Sequence, residues 1–552
     1  MAEARVPDRS ANTVSEPAAA IPVDNRARNA ILAAVLLAVL LTGLDQTVVG
    51  TALPRIITDL QGSDRYVWVV TAYLLSSTAS VPIYGKFSDV YGRKAMLPVG
   101  VGLFLLGSAL SGLSQTMDQL IGFRALQGLG AGAIFPVATA TIGDLFSARD
   151  RGRAQGLFGG TFALSFLIGP FVGGWITEHI SWHWMFYVNL PPGLVALVAL
   201  WALLPNHRLD DANASDLDYL GILLFVLATV PIMIGLTNKG QIDTSTGQLY
   251  SWTSGQVGGL LGLGAVLLVL FVLAESKARH PIVPLDLFRN RDYSLSMSAA
   301  FILGIAGFVA IILMPRYYQT VRGIGATASG YYVWPLLLGV MTSSVAAGVL
   351  ITRMGHYKWL VSASTVILVA GGFLMTHLSP DTADWTLWGW MALLGIGVGP
   401  SLSAFTVIVQ SLVPVNRIGV ASGTLTFMRQ IGGTLGLAVA GTMFSATYQD
   451  QLPKSLAAQG LPIPLVDTLA KLSQVLQGVG VGGHLLARVL PASQANLIPQ
   501  IVAGANDAIA KATGAVFWMT LITGLAGLLI TLALHDRELK DVQLMPAPGG
   551  AS

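Results

Sequence analysis

The stretch LTGLDQTVVGTALP, residues 41–54, continues a long apolar run and carries an acidic residue, Asp45, within it. An ionisable side chain near the centre of a bilayer costs roughly 2.5–3.5 kcal/mol on insertion scales, so such a residue is a functional-site candidate by default. No other long apolar run of the chain has a carboxylate near its middle. A single acid among membrane helices binds a proton, binds a cation or exchanges one for the other, and this predicts coupled transport.

The composition narrows the class of protein. Of the 552 residues, 53% are hydrophobic and 11% are charged, whereas soluble domains carry about 25% charged residues. The 62 glycines suit close helix–helix approach in lipid. The absence of cysteine excludes disulfides and thiol catalysis, and a net charge of +3 is too small to indicate a nucleic-acid partner.

A helix needs about 20 mostly apolar residues to cross the hydrocarbon core, and the chain contains about fourteen such segments. The predicted spans lie near 29–53, 67–85, 96–114, 118–142, 154–177, 184–204, 219–237, 256–274, 295–316, 328–351, 359–378, 385–411, 417–446 and 512–535. Basic residues concentrate in alternate loops, which by the positive-inside rule places both termini in the cytoplasm. We therefore predict an all-α polytopic protein of the cell membrane, with a disordered tail (1–28) and a second cytoplasmic tail (536–552).

Two pairs of segments repeat weakly along the chain. GKFSDVYG (85–92) corresponds to GVLITRMG (348–355), and RGRAQG (151–156) corresponds to RIGVASG (417–423). Related halves with the substrate handled at their interface are a transporter architecture. The predicted units are an N-terminal six-helix bundle (29–204), two inserted helices (219–274) and a C-terminal six-helix bundle (295–535).

A long extracytoplasmic loop, 447–511, is predicted between the last two helices. It contains LVDTLAKLSQVLQGV and ANLIPQIVAGANDAIAKA, which have apolar residues at helical spacing. Two interpretations are open: a small helical cap on the outer face, or an interfacial element that gates or guides an amphipathic substrate.

The loop after the second predicted helix contains Gly85, Asp89, Gly92, Arg93 and Lys94. Gly92 suits a sharp turn, and Asp89 lies where the N-terminus of the next helix offers amides and a positive dipole. Arg93 and Lys94 are placed to pair with acids of neighbouring helices. An ordinary positive-inside loop is the simpler interpretation. We favour a conformational latch that holds two helices together and releases when the halves rock.

This loop resembles the cytoplasmic signature of the major facilitator superfamily. The other stretches that resemble motifs of its fourteen-helix drug:proton antiporter subfamily are LDQTVVGTALP (44–54), RALQGLGAGAIFP (124–136), LIGPFVGG (167–174), WHWMFYVNLPPG (182–193), PIVPLDLFRNRDY (281–293) and RQIGGTLG (429–436). The resemblance implies the major facilitator fold, in which two six-helix bundles are joined here by two inserted helices. It also implies proton-coupled export of amphipathic drugs by alternating access, driven by the proton gradient without a cofactor.

Asp45 and Arg124 are the predicted proton-coupling residues. Asp45 is either a proton carrier, with pairing to a substrate cation as an additional role, or a structural acid that is locked to a nearby arginine or capped by Gln46 or Thr47. By resemblance Arg124 takes part in proton transfer, and the alternatives are a static salt bridge or an arginine that binds backbone carbonyls. Gln127, one turn beyond Arg124, is a polar neighbour on the same helix face. Gln127 and Gln46 are also candidates for the substrate cavity.

Arg429 lies about twelve residues into its helix, close to the membrane midplane, where it needs a partner or a wet cavity. It either binds an anionic group of a substrate or lipid, or ties to backbone carbonyls. Together with Arg124 and Asp45 it leaves the cavity neutral to positive, which weakens a purely cationic substrate range. The absence of acids between Arg417 and Asp450 argues likewise against dications.

The antiporter motif of the fifth helix makes that helix thin and bendable, because proline removes a backbone hydrogen bond and small residues allow close approach. The motif residues are Gly169, Pro170, Gly173 and Gly174. Tight packing alone explains the glycines, and a hinge that also seals against proton leak is the functional interpretation. Tyr317 and Trp334 are aromatic candidates for the substrate cavity, or interfacial residues.

No catalytic constellation is found, since the glycine-rich stretches lack the G-x-x-x-x-G-K-[ST] phosphate loop and the histidines form no metal-type pair. The predicted partners are lipophilic small molecules, protons and membrane lipids, without metal or nucleic acid, and the protein is predicted to be a monomer. The main alternative on the same fold is an exporter or flippase of lipids or lipid-linked precursors. A receptor-like protein that moves nothing and a nutrient symporter are further alternatives.

Overall fold

The computed structural model describes residues 23–60, 66–147, 150–206, 217–239, 241, 250–471 and 496–536. Within these ranges the chain is helical and contains no strand, which confirms the predicted fold class. Thirteen helical segments among the described residues are long and apolar enough to cross a membrane. The helix Ile418–Ala458 is not among them, although it covers the predicted span near 417–446.

The N-terminal half contains seven helices that make six crossings. They are α1 (Asn25–Leu60), α2 (Tyr66–Tyr91), α3 (Arg93–Gly112), α4 (Met117–Leu145), α5 (Arg151–His179), α6 (Trp184–Tyr187) and α7 (Leu190–Leu203). The turn α6 and helix α7 form the sixth crossing together. The hydroxyl of Thr116 caps α4 by accepting the amide of Gln119 at 3.3 Å.

The inserted pair consists of α8 (Tyr219–Lys239) and α9 (Leu260–Glu275), which pack against each other. A π-helical turn, Gly255–Gly259, leads into α9. The ring of Phe225 on α8 lies 5.0 Å from the ring of Phe427 in the C-terminal half. The pair therefore flanks the bundle beside the line where the two halves meet.

The C-terminal half follows a short 3₁₀ turn, Leu285–Arg289. Its helices are α10 (Arg291–Thr320), α11 (Ala326–Tyr332), α12 (Trp334–Met354), α13 (Lys358–Met375), α14 (Asp384–Ser411), α15 (Ile418–Ala458), α16 (Ile463–Lys471) and α17 (Ile498–Ala533). The predicted loop 447–511 differs here, because α15 continues to Ala458 and α17 begins at Ile498. Buried Leu461, Val466 and Leu469 pack α16 onto the C-terminal core, and residues 472–495 lie outside the described residues.

We call the end of the bundle at which α1 begins the inner end, and the opposite end the outer end. The N-terminal half has an inner apolar cluster around Leu97 and Phe104 and an outer one around Ile56 and Trp182. Helices α1 and α4 contribute to both clusters, and Asp45 lies between the two parts of α1. The described C-terminal half instead has one continuous cluster. The N-terminal core is thus interrupted at the level of the deep acid.

Candidate functional site

Asp45 is held in a buried polar network between α1 and α4. Its Oδ2 accepts a hydrogen bond from Nη1 of Arg124 at 2.5 Å, and its Oδ1 accepts one from Nε2 of Gln127 at 2.8 Å. Nη1 of Arg124 also donates to Oε1 of Gln127 at 2.7 Å. Only 2% of Asp45 and 1% of Arg124 are exposed. The three sequence-predicted residues therefore form one closed triangle of hydrogen bonds.

Two residues absent from the sequence prediction complete this network. Nδ2 of Asn189 lies 3.4 Å from Oδ1 of Asp45 and donates at 3.2 Å to Oγ of Ser108. The hydroxyl of Ser108 in turn donates to the carbonyl of Phe186 at 2.8 Å. Asn189 lies just before α7 and Ser108 lies on α3, so four segments of the N-terminal half converge on the carboxylate.

Aromatic rings and a backbone carbonyl surround the Arg124 guanidinium. Its Cζ lies 4.2 Å from the ring centroid of Tyr73 and 5.8 Å from that of Phe186, distances at which cation–π attraction operates. Its Nε donates to the carbonyl of Val69 at 3.3 Å. A buried ion pair is retained only when further hydrogen bonds satisfy both partners, because desolvation is expensive. Removing the charge of Asp45 would leave Arg124 buried without its counter-ion.

At the inner end, Asp89 joins the two halves. Its carboxylate accepts the backbone amides of Gly419 at 2.9 Å and Val420 at 2.8 Å, the second and third amides of α15. The predicted partner was the N-terminus of α3, and this was wrong, because α15 of the other half packs closely against α2 there. Gly85 permits that approach, since a Cβ added to it would lie 2.6 Å from the carbonyl oxygen of Gly419.

Arg93 ties this contact to α4. Its Nη1 lies 2.6 Å from Asp89 Oδ1, and its Nε lies 2.9 Å from Asp144 Oδ2. Gly92 has φ +87°, so the turn between α2 and α3 uses the left-handed backbone that favours glycine. Lys94 makes no ion pair with the residues that the structure describes. Its predicted role in the latch stays a prediction.

A second seam joins α5 to α12 at the same end. A Cβ added to Gly348 would overlap the carbonyl oxygen of Gly152, so both helices need glycine there. The backbone amide of Arg153 donates to Oγ1 of Thr352 at 3.0 Å. Gly355 follows α12 with φ +71°, as Gly92 follows α2. The repeated glycines of the sequence therefore occupy equivalent turns.

A polar bridge lies beside these seams. Nε2 of Gln410 on α14 donates to the carbonyl of Thr139 on α4 at 2.9 Å and to Oγ of Ser422 on α15 at 3.1 Å. Gln155 on α5 donates to the same carbonyl at 3.1 Å. All four residues are buried. Uncharged side chains thus link the halves where α4, α5, α14 and α15 meet.

The remaining cavity candidates lie in different surroundings. Gln46 is partly exposed, whereas Tyr317 is 1% exposed and its hydroxyl donates to the carbonyl of Ser379 at 2.9 Å. Trp334 is 38% exposed at the start of α12. Arg429 is partly exposed and its Nη2 donates to the carbonyl of Ser401 at 3.4 Å. The structure does not bring Tyr317 or Trp334 into the Asp45 network.

The fifth-helix motif packs against α1 and α11. A Cβ added to Gly169 would overlap Oγ1 of Thr47, and Pro170 lies 3.0 Å from a Cβ added to Gly330. Gly173 and Gly174 are buried in the same helix. Close packing is therefore present, and the predicted hinge stays a prediction.

The motif between α5 and α7 has a role at the outer end too. Nε1 of Trp182 donates to Oδ2 of Asp59 at 3.0 Å, which ties this segment to the end of α1. The ring of His183 stacks on that of Trp182 at 3.7 Å. Burial lowers the pKa of His183, and the nearby Asp59 carboxylate partly opposes this shift.

Comparison with known proteins agrees with this architecture. The family model of the Major Facilitator Superfamily matches residues 35–437. The chain belongs to the major facilitator superfamily. It is 34% identical over 443 residues to the multidrug transporter protein MdtP of Bacillus subtilis, which covers 80% of this chain and 79% of that protein. It is 32% identical over 515 residues to the efflux pump dotC of Dothistroma septosporum, covering 92% and 84% of the two chains.

A solved structure of the proton:xylose symporter XylE has a similar fold, with a TM-score of 0.57 at 13% identity over 94% of this chain and 98% of that one. Membership of this superfamily makes the protein a multi-pass membrane transporter rather than an enzyme. The resemblance inferred from the motifs is confirmed, and the relatives named as multidrug and efflux proteins agree with the fourteen-helix drug:proton antiporter subfamily.

Sequence reasoning missed Asn189, Ser108 and the Gln155–Gln410 pair. Asn189 had a signal, because it is a polar residue within the quoted motif WHWMFYVNLPPG, between apolar neighbours. Gln155 lies in the repeated segment RGRAQG (151–156). Ser108 and Gln410 had none, since single small or amide residues are common in membrane helices.

Proposed function

We propose that this protein is a proton-coupled antiporter of the cell membrane that exports amphipathic compounds by alternating access, with its inner end facing the cytoplasm. The observation that carries the proposal is the Asp45 carboxylate, which is buried between two apolar clusters and paired with Arg124. Burying an ionisable acid at that depth costs free energy, and such residues mark functional sites by default. The names of the relatives support the export of drug-like compounds.

Proton binding at Asp45 changes the charge of the network and its geometry. A neutral carboxylic acid no longer balances the buried guanidinium of Arg124, so the triangle with Gln127 has to rearrange. After the substrate has left, the protein returns to the inward-facing state with the proton bound to Asp45. The proton is then released into the cytoplasm, and Arg124 pairs with the carboxylate again. One proton binding site that alternates between two networks is sufficient for exchange.

Helix α5 can transmit this change to the seams. It packs along α1, where the hydroxyl of Thr47 lies 3.5 Å from the carbonyl oxygen of Ser165. The other end of α5 forms the seam with α12 through Gly152 and Gly348. A shift of α1 relative to α5 near Asp45 therefore acts on the contact between the two halves. The present conformation is closed at the inner end by both seams.

The test is uphill transport in proteoliposomes of uniform orientation with an imposed pH gradient, using a panel of dyes and drugs. We expect wild-type protein to accumulate substrate and to lose it when an uncoupler collapses the gradient. Asp45→Asn should abolish accumulation while the protein remains folded. Asp118→Asn is the matched control, because Asp118 is an exposed acid in the first turn of α4 at the outer end and should retain uphill transport.

Accumulation that persists in Asp45→Asn would place the coupling site elsewhere and overturn the assignment. If the wild type moves no compound of the panel, export of lipids or lipid-linked precursors on the same fold becomes the leading function. That alternative is tested in the same proteoliposomes with fluorescent lipid analogues.

A further inference from the structure

Arg429 is a deep cation whose hydrogen-bonding capacity is largely unused. A guanidinium has five N–H donors, and the one hydrogen bond that Arg429 makes with a described residue is the 3.4 Å contact to the carbonyl of Ser401. That length is beyond the usual range for N–H···O bonds. Among the residues that the structure describes, no carboxylate pairs with it. The residue is partly exposed.

The position of Arg429 on α15 shows which way it faces. Ser422 lies seven residues earlier, two helical turns away on the same face. Ser422 receives the hydrogen bond from Gln410, which also reaches Thr139 of the opposite half. Ile418, one turn before Ser422, lies 3.1 Å from a Cβ added to Gly143 on α4. The face that carries Arg429 is therefore the face of α15 turned toward the N-terminal half, about 10 Å of helix beyond the polar bridge.

Asp45, the acid within the membrane helices, is not available to a ligand in the same way. Both oxygens of Asp45 are occupied, by Arg124 on one side and by Gln127 and Asn189 on the other, and the residue is 2% exposed. The positive charge of Arg124 is cancelled in that pair. Among the described residues deep in the bundle, Arg429 therefore carries the charge that is left for a ligand between the halves.

We propose that Arg429 is a substrate-binding residue that recognises the anionic group of an amphipathic cargo, such as a sulfonate, carboxylate or phosphate. This rests on the proposed export function and names its substrate class. A guanidinium binds such groups through two parallel N–H···O bonds, and low dielectric strengthens the contact. Proton coupling and substrate charge recognition then reside in different halves of the protein.

The charge of the cargo has an electrical consequence for transport. For any proton stoichiometry, export of an anion moves one more charge across the membrane than export of a neutral compound of the same shape. An inside-negative potential therefore accelerates export of anionic cargo more than that of neutral cargo. A cation recognised at Asp45 would show the opposite dependence.

The test uses two probes with one fluorophore, 8-anilinonaphthalene-1-sulfonate and N-phenyl-1-naphthylamine, which differ by the sulfonate. Binding is measured by fluorescence to the full chain in nanodiscs of zwitterionic lipid, with empty nanodiscs subtracted. We expect Arg429→Gln to raise the Kd of the sulfonate at least tenfold and that of the neutral amine less than twofold. Arg353→Gln is the matched control, because Arg353 is exposed at the end of α12 and should change neither value.

Arg429→Lys keeps the proposal testable if the glutamine variant does not fold. A lysine retains the charge and loses the two-pronged geometry, so the Kd of the sulfonate should rise twofold to fivefold with the amine unchanged. An unchanged Kd for the sulfonate in a folded Arg429→Gln protein overturns the proposal. Equal weakening of both probes also overturns it, because that result marks a structural role.

The source of the natural anion is separated by competition. A soluble amphipathic carboxylate that displaces the sulfonate identifies a drug-like cargo, whereas displacement by phosphatidylglycerol added to the nanodisc identifies a lipid headgroup; either competitor must lose its effect in Arg429→Gln. These binding measurements need no proton gradient. Uphill flux that persists in Asp45→Asn would therefore overturn the proposed coupling while the anion preference at Arg429 stands or falls by itself.

Discussion

The seam between α2 and α15 and the seam between α5 and α12 share one backbone geometry and differ in charge. In each, a glycine of the second helix of one half lies against the backbone of the fifth helix of the other half, Gly85 against Gly419 and Gly348 against Gly152. The residue four positions after that glycine accepts an amide at the start of the opposing helix. It is Asp89 in the first seam and Thr352 in the second.

This difference separates what packing requires from what electrostatics adds. Close approach needs glycine in both seams, so the repeat retains it in both. The carboxylate of Asp89 interacts with a helix N-terminus and with Arg93, which reaches Asp144, whereas Thr352 contributes a neutral hydroxyl. We therefore expect the charged seam to contribute more to closure of the inner end, and the neutral seam to act mainly as a packed contact.

The largest effect is expected from filling either glycine. Gly85→Ala and Gly348→Ala each press a methyl group against backbone of the other half, and such overpacking typically costs about 1–3 kcal/mol. Both should shift the protein away from the inner-closed state and reduce transport about tenfold. Spin labels on Asp150→Cys and Asn416→Cys report the opening by pulsed electron paramagnetic resonance, and the chain has no native cysteine to remove.

Gly102→Ala is the control for that pair, since nothing lies within 4 Å of its added Cβ. A normal distance distribution in both seam variants would show that the glycines do not limit closure.

A smaller effect is expected from Asp89→Asn. The asparagine keeps the size of the side chain but loses the charge-assisted hydrogen bonds to Gly419, Val420 and Arg93. A hydrogen bond to a charged group contributes about 1.5–3 kcal/mol. The population with an open inner end should rise several-fold, measured with the same spin labels. Asp24→Asn, an exposed acid at the same end, serves as control. An unchanged population of the open inner end would show that the charge of Asp89 does not stabilise the seam.

The smallest effect is expected from Thr352→Val, which removes one neutral hydrogen bond to the amide of Arg153 at nearly constant volume. Such a bond is worth about 0.5–1.5 kcal/mol, so transport should fall less than in Asp89→Asn. The measurement is the initial rate of substrate accumulation in proteoliposomes for the two variants side by side. Equal losses would mean that the two seams are energetically alike despite their different charges.

Much of the candidate site could be predicted because charged residues are rare within apolar helices. Asp45, Arg124 and Arg429 are charged residues within apolar helices, and their depth alone marks them. Gln127 follows from helical periodicity, since it lies one turn from Arg124. Asn189 could not be connected to Asp45 in this way, because the two residues are far apart in sequence and only the packing of α7 against α1 and α3 brings them together.

The same limit explains the partner of Asp89. Proximity in sequence favoured the adjacent helix α3. The amides of Gly419 and Val420 could not be predicted, because they are far from Asp89 in sequence. Helix lengths failed at the outer end for a related reason. Hydropathy marks where a helix leaves the lipid, and α15 continues beyond that point because its extension packs against α17, with Ser455 donating to Asp507 at 2.6 Å.

The sequence by itself determined the all-helical fold with its many apolar spans, the repeated segments with their glycine turns, and the presence of one deep acid with two deep arginines. These features depend on hydropathy, on helical period and on the cost of burying charge, which act locally along the chain. Only the tertiary structure decided that Asp45 pairs with Arg124 while Arg429 has no described acidic partner, and that α2 closes on α15 through a carboxylate. Those choices depend on which helices lie side by side, because hydrogen bonds and ion pairs are made between segments that the sequence separates.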